Sequence, residues 1–186
     1  MTTRPRNSMS RNLRVTCSTL LLALLAACAQ PADPTRMTVA PVTGTDSGYP
    51  PQFTRAGCVR NVTGGEETNP LWVSKLGDAD FSKALSGSMT AAGLIGDLCA
   101  FPVDVNLLGQ SQPAIGFDLT VTAHANYKVY DKNAQPVLLE TITAPYTAGF
   151  SESPIAVIRL QRANEGAVRE SISQFLRKLR GVKPGA

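Results

Sequence analysis

Apolar and polar side chains alternate along residues 117–130 through seven repeats of period two. The apolar set is Phe117, Leu119, Val121, Ala123, Ala125, Tyr127 and Val129. A period of two puts the two sets on opposite faces of a strand, and this alternation is typical of an antiparallel sheet with one face on the core and one in water. Residues 131–136 predict a turn. Residues 137–147 predict a returning strand in which Pro145 marks an edge or a break.

Other segments predict the rest of the fold. Residues 57–62 predict a first strand, and residues 98–108 predict a second that begins after Pro102. Between them, apolar residues recur every three to four positions from Asp78 or Asp80 to a stop at Gly93, which predicts a helix. A second helix with an apolar face is predicted over residues 153–180. Together these elements predict an α+β domain over residues 53–181, a mostly antiparallel four-stranded sheet with two helices on one face in the order β-α-β-β-β-α, and a C-terminal tail at 182–186.

The first 27 residues have the organisation of an export signal. Four arginines without an acidic residue precede an apolar run over residues 15–27, and this run is shorter than the roughly 20 residues of a membrane-spanning helix. The run closes on Leu25-Ala26-Ala27-Cys28, which resembles the lipobox of bacterial lipoproteins. The resemblance implies cleavage before Cys28 and a lipid on its thiol, with palmitate among the acyl groups. The alternatives are a secretory peptide cut near Ala29 and a retained single-span anchor.

The residue after the cysteine bears on the membrane. In lipoproteins an aspartate just after the cysteine often means retention in the inner membrane, and Ala29 stands there instead. The resemblance therefore implies a lipid anchor in the outer membrane, on the periplasmic side. Residues 28–52 contain five prolines, and this composition predicts a flexible tether that spans roughly 25–30 Å.

The net positive charge of the chain lies at its two ends. A formal net charge of +4 arises from 18 basic and 14 acidic residues, and four of the arginines lie in the export signal. Without that signal the net charge is zero, so the basic pI is no argument for nucleic-acid binding. Helical projection groups five arginines of the last helix opposite its apolar face: Arg159, Arg162, Arg169, Arg177 and Arg180. This arginine stripe is a candidate surface for an anionic lipid or an acidic protein, and the alternative is a solvated helix face.

Four further residues are candidates for a site or a crosslink. Trp72 and Asn69 lie in a glycine-containing and proline-containing loop, where they either contact a partner or fold under the first helix. Cys58 and Cys99 either form a disulfide, which an oxidising compartment permits, or remain buried thiols. With one distant histidine, His124, they make a poor metal-ligand set, so no metal and no cofactor are expected.

Two family resemblances complete the sequence evidence. The element order resembles that of the lipopolysaccharide-assembly lipoprotein of Gram-negative envelopes. A closer resemblance, to an envelope lipoprotein family without an established activity, is carried by residues 64–72 (GGEETNPLW), 116–122 (GFDLTVT), 145–148 (PYTA) and 163–169 (ANEGAVR). Some members of this family carry an acyltransferase label. The residues do not support that label, because the chain has no hexapeptide repeat and no Ser-His-Asp or Cys-His arrangement.

The resemblance and the residues together predict a non-enzymatic accessory or scaffold subunit of an envelope complex for lipid or protein transport or assembly. Its expected partners are the membrane, through Cys28, an envelope protein and an anionic lipid, with no nucleic acid. The alternatives are a lipoprotein that binds a lipid or small ligand, and an envelope enzyme.

Overall fold

Four strands and three α-helices make up the part of the chain that the computed structural model describes, residues 31–41, 48–66, 76–113 and 116–183. The helices are α1 (Pro34–Met37), α2 (Asp78–Ala91) and α3 (Ala156–Arg180), and a short 3-10 turn covers Pro51–Phe53. The strands are β1 (Gly57–Thr63), β2 (Phe101–Ser111), β3 (Leu119–Tyr130) and β4 (Pro136–Ala148). None of the described helices is long and apolar enough to cross a membrane.

The strands form one mixed sheet in the order β1-β2-β3-β4. β1 and β2 are parallel and are connected through α2, whereas the other two pairs are antiparallel. The α+β class and the order β-α-β-β-β-α are therefore confirmed. β4 lies at an edge of the sheet, as Pro145 predicted.

The alternation that predicted β3 is visible in its burial. All six of its apolar positions from Leu119 to Val129 are buried, and the residues between them are partly or fully exposed. The strand begins two residues later than predicted, because Phe117 and Asp118 form a bend instead. β2 begins earlier than predicted, at Phe101, and includes Pro102. Pro102 lies one residue before the first pair that β2 forms with β3, so we infer that its missing N–H breaks no bond on that side.

The centre of the core is a pair of stacked rings. Tyr127 of β3 lies 4.6 Å from Phe175 of α3, centroid to centroid, with the ring planes 10° apart. The Tyr127 hydroxyl is 2.9 Å from Ser171 Oγ, so the one polar atom of this buried ring has a partner. Burial raises the pKa of Tyr127 above its usual value. This contact fixes α3 on the inner face of the sheet.

The predicted flexible tether is wrong for residues 31–41, here called the N-terminal segment. Ala32 and Met37 are buried in the core, and so is Tyr49 further along. The Asp33 amide donates to Glu165 Oε1 at 3.0 Å, and the Val39 amide donates to Ser88 Oγ at 2.9 Å. The segment therefore packs on α2 and α3, and the folded domain begins near residue 31 and not at residue 53. Residues 28–30 and 42–47 lie outside the described part of the chain.

A disulfide joins Cys58 of β1 to Cys99, with the two Cα atoms 5.1 Å apart. Cys99 lies just before β2, and Cys58 pairs with Pro102 in the parallel register. The bond therefore ties the start of β1 to the start of the strand that it pairs with, β2. It closes a loop with a sequence separation of 41 residues.

Replacing both cysteines should destabilise the domain. We expect the Cys58→Ala/Cys99→Ala variant to lose about 3–4 kcal/mol of unfolding free energy, mainly because its unfolded chain regains the freedom that the loop removes. Urea denaturation under oxidising conditions measures the loss. Dithiothreitol should lower the stability of the wild-type chain to that of the variant and leave the variant unchanged. An equal response of both chains to the reductant would contradict the prediction.

Candidate functional site

Three of the predicted site residues, Cys28, Asn69 and Trp72, lie outside the described residues. His124 lies in β3, with its Nδ1 3.1 Å from Thr143 Oγ1 of β4. In the described part of the chain no group of three or more His, Cys, Asp or Glu residues is placed to hold a metal ion.

Arg159 is not part of an exposed stripe. The residue is only 4% exposed, and its guanidinium donates to the carbonyl oxygens of Ser153 at 2.7 Å and Gly116 at 3.1 Å. The same group lies 5.4 Å from the ring centroid of Phe150. Arg159 therefore holds two loops against the start of α3.

The other four arginines of the stripe also make contacts within the chain. Arg162 donates to the carbonyl of Glu152. Arg169 donates to the carbonyl of Arg36 at 3.1 Å and lies over the Tyr146 ring. Arg177 pairs with Glu170 at 2.9 Å, and Arg180 lies 4.7 Å from the centroid of the Tyr49 ring.

These contacts correct the picture of one continuous arginine stripe. Helical projection assigns every position away from the sheet to solvent, but the N-terminal segment and the loop before α3 cover that side of the helix. Arg169 and Arg177 are the exposed members of the five, and Arg177, whose side chain is 56% exposed, forms an ion pair with Glu170.

A cavity of about 330 Å³ lies between the inner face of the sheet and the two long helices. Small side chains create it, because Ala123 and Ala125 stand in β3 where its neighbours are Val121 and Tyr127. Its wall also includes Phe81, Leu107, Gln110 and Ser171. The volume is at the lower end of the range for small-molecule sites.

One polar atom on the cavity wall has no hydrogen-bond partner. Gln110 Nε2 is buried and unpaired within the described structure. Its carbonyl accepts from Gln112 Nε2 at 3.4 Å, and Gln112 also donates to Asn164 Oδ1 of α3 at 2.9 Å. A buried amide without an acceptor is costly, so this N–H group suits an acceptor atom or a water held in the cavity.

The cavity opens beside the start of the Gly-Gly loop. Gly64 has φ +86°, and a Cβ there would lie 2.1 Å from the carbonyl oxygen of Leu107, so only glycine fits. The Gly65 amide donates to the Asp78 carboxylate at 2.6 Å, which ties the loop to the start of α2. Gly64, Gly65 and Glu66 are part of the cavity lining.

A second notable group is the buried carboxylate of Glu165 in α3. The residue is 2% exposed, accepts from the Asp33 amide, and lies 3.9 Å from Arg36 Nε. Burial raises the pKa of Glu165, and the Asp33 amide and the Arg36 charge oppose that effect. Glu165 therefore binds the N-terminal segment to the helix.

Sequence reasoning missed how three of the four segments GGEETNPLW, GFDLTVT, PYTA and ANEGAVR meet. Tyr146 of PYTA packs on Gly166 of ANEGAVR, where a Cβ would lie 2.2 Å from the ring. Gly116 of GFDLTVT is held by Arg159 at the start of the same helix. The glycine in the middle of an apolar helix face was the available signal, because a glycine at such a position often marks a close approach.

No family model matches the chain, and no curated protein matches it. Among solved structures it is similar to a minor lipoprotein from Acinetobacter baumannii, with 12% identity, a TM-score of 0.41, and coverage of 65% of this chain and 89% of that chain. A hypothetical protein from Chlamydia trachomatis has 11% identity and a TM-score of 0.45, with 68% and 98% covered. A protein from Xanthomonas campestris described as DUF330 has 12% identity and a TM-score of 0.44, with 82% and 93% covered. Similarity this remote transfers no residue role to this chain.

The Gly166–Tyr146 contact can be tested by adding one methyl group. We expect Gly166→Ala to lower the free energy of unfolding by about 1–3 kcal/mol, because the ring must move, although alanine by itself favours a helix by about 1 kcal/mol. Removing the ring as well, in Tyr146→Ala/Gly166→Ala, should cancel the clash and give a strong coupling in a double-mutant cycle. Gly87→Ala in α2, where a Cβ meets only Thr38 at 3.3 Å, is the matched control. Stabilisation by Gly166→Ala alone would refute the contact.

The raised pKa of Glu165 predicts a pH dependence of stability. The folded state holds the Glu165 proton more tightly than the unfolded state does, so its stabilising effect is present at low pH and is lost as pH rises through the folded pKa. Glu165→Gln keeps an acceptor for Asp33 and cannot titrate. The wild-type chain should therefore lose stability relative to this variant as pH rises from acidic to neutral. Urea titrations of both chains across that range measure the difference, and parallel curves would contradict it.

Proposed function

We propose that this chain is a lipid-anchored lipoprotein of the bacterial envelope, held on the periplasmic side of the outer membrane, and that it acts as a non-enzymatic accessory subunit of an envelope complex. The lipobox-like Leu25-Ala26-Ala27-Cys28 after a basic, apolar leader carries the anchor. Stable anchoring needs more than one acyl chain, as the lipobox resemblance implies.

The accessory role is supported by the sheet. The described helices cover its inner face, and its outer face carries cross-strand hydrogen bonds between polar side chains. Thr120 pairs with Thr147 at 2.8 Å, and Thr141 donates to Asn126 at 2.7 Å. These bonds order the polar side chains of the face, and Leu139, paired with Lys128, stands exposed among them at 60%. We infer that this face, with Leu139 as its apolar point, is the surface that a protein partner contacts.

In the described residues, three side chains of the kind that catalysis uses make structural contacts. Glu165 binds the N-terminal segment, Arg159 binds two loop carbonyls, and His124, which also lines part of the cavity, has its Nδ1 beside Thr143. Each has a structural contact that explains its position. This is why we favour a binding role over an enzymatic one.

Affinity capture from detergent-solubilised envelopes tests the proposal. The wild-type chain should carry an acyl group on Cys28 by intact-mass measurement and should capture a defined set of envelope proteins. Cys28→Ser should lose the acyl mass. Leu139→Glu should lose the captured proteins and keep the lipid, whereas Leu98→Glu, a control at a residue that is 90% exposed, should keep both. An unmodified Cys28 would refute the anchor, and capture that is unchanged by Leu139→Glu would refute this face as the partner surface.

The cavity favours a second candidate function, the binding of a small ligand that has both apolar surface and an acceptor group. The observation that supports it is the unpaired Gln110 Nε2 on a wall that combines apolar side chains such as Phe81 and Leu107 with polar ones such as Gln112 and Ser171. Such a combination of apolar lining and a few directed polar groups is typical of small-molecule sites.

Filling the cavity tests this candidate. Ala123→Leu should remove any ligand that native mass spectrometry detects on the purified wild-type chain, because the added methyl groups occupy the cavity. Gln110→Leu should weaken retention of the same ligand without filling the space. Thr143→Ala, on the outer face of the sheet, is the control. If Ala123→Leu keeps the ligand, the ligand lies elsewhere, and a wild-type chain without ligand would count against the candidate.

A further inference from the structure

Several exposed apolar side chains share one end of the domain. Phe117 is 82% exposed, Phe150 is 51% exposed and Ile155 is 49% exposed. The rings of Phe117 and Phe150 contact each other edge to face, with centroids 6.3 Å apart. Pro154 beside them is exposed as well. We call Phe117, Phe150, Pro154 and Ile155 the aromatic tip.

The aromatic tip is held in place by hydrogen bonds. The Phe150 amide donates to Asp118 Oδ1 at 3.2 Å, and the Gly149 amide donates to Glu152 Oε1 at 3.3 Å. Arg159 contacts the tip from the protein interior. It donates to the carbonyls of Gly116 and Ser153, and its guanidinium lies against the Phe150 ring. A buried arginine therefore lies next to both exposed phenylalanines, bonded to the Gly116 carbonyl before Phe117 and placed against the Phe150 ring.

The N-terminus of the described chain leads to the same end. The carbonyl of Pro31 accepts from Gln161 Nε2 of α3 at 2.9 Å, and Gln161 lies within two turns of the helix start at Ala156. Cys28 precedes Pro31 by three residues, and three extended residues span at most about 11 Å. An acyl group on Cys28 must therefore enter a bilayer close to the start of α3.

The opposite end of the domain is far from this point. Leu98 is 90% exposed there, next to the disulfide at the start of β1 and β2. Because β2 and β3 are antiparallel, the start of β2 lies beside Val129, near the end of β3. The aromatic tip lies at the other end of β3, where Phe117 precedes Leu119. The 12 residues of β3 separate the two ends, a distance of about 35 Å.

We propose that the aromatic tip rests in the interfacial layer of the bilayer that holds the acyl chain of Cys28. The inference rests on the proposed lipid anchor and adds an orientation to it. Aromatic and apolar side chains favour this layer. The acyl chain tethers the domain at short range, and the tip sets which end of the domain faces the lipid.

The charges around the tip give the contact a definite character. Asp118, Glu152, Arg159 and Arg162 surround the aromatic tip, two acidic and two basic residues, and Arg159 is buried. Their sum is neutral, so the contact depends on apolar burial and not on attraction to anionic lipid. High salt should therefore leave it intact.

Quenching by brominated lipid tests the orientation. Full-length lipidated chains carrying Phe117→Trp, Phe150→Trp or Leu98→Trp are reconstituted into vesicles of phosphatidylethanolamine and phosphatidylglycerol, with and without phosphatidylcholine brominated on its acyl chains. The parent chain, which contains Trp72 alone, gives the background signal. We expect severalfold stronger quenching of the tryptophans at 117 and 150 than of the one at 98, with or without high salt.

Each outcome has one meaning. If Cys28 carries its acyl mass and the protein floats with the vesicles, but all three tryptophans are quenched alike, the orientation is wrong and the anchor stands. The orientation is also wrong if the tryptophans at 117 and 150 are not quenched by the lipid and their emission changes only when an envelope protein is added, because the tip would then be a protein interface. If Cys28 carries no acyl mass and the protein does not float, the anchor fails and the orientation fails with it. Melting curves of the three variants verify that each one folds.

Discussion

Helix α3 is buried on more than one side over residues 163–168, and the rest of the structure depends on that double cover. All six residues are buried in succession, which a helix packed on a sheet alone cannot achieve, because its outer face would meet water. Here Gly166 receives the Tyr146 ring of the sheet, and Glu165 receives the N-terminal segment through the Asp33 amide. The sheet and the N-terminal segment thus enclose the helix, and the helix in turn fixes the start of the folded chain.

This arrangement changes what a lipid anchor would do. A flexible tether would let the domain stand roughly 25–30 Å from the bilayer in any orientation. With the segment packed from Pro31 onward, an acyl group on Cys28 would hold the domain at the membrane, with the start of α3 nearest to it. In the orientation that we propose, the strands run away from the bilayer, and the outer face of the sheet is presented sideways to partners anchored in the same membrane. The anchor and the partner surface would then act together.

Two buried polar side chains of α3 are bound by backbone groups that lie outside the helix. Arg159 and Glu165 are charged side chains that helical projection placed toward solvent or left without a role, and both are buried with backbone partners from another part of the chain. Burial of an ionised group is unfavourable unless hydrogen bonds replace its water. The loops at the start of α3 supply such bonds to Arg159, and the N-terminal segment supplies one to Glu165, whose pKa burial still raises. These irregular parts of the chain are therefore positioned by polar groups that the helix carries.

The sequence by itself determined the elements whose signal is local. The alternation in β3, the turn after it and the left-handed stop at Gly93 follow from side-chain period and backbone preference, and the structure contains all of them. Only the tertiary structure decided which faces are covered. The N-terminal segment has the composition of a linker, and its burial depends on contacts such as Asp33 with Glu165, 132 residues apart. The cavity likewise arises from small residues of β3 opposite two helices. Local patterns describe one element at a time. Which helix face is covered and where a cavity forms depend on which distant segments the folded chain brings together.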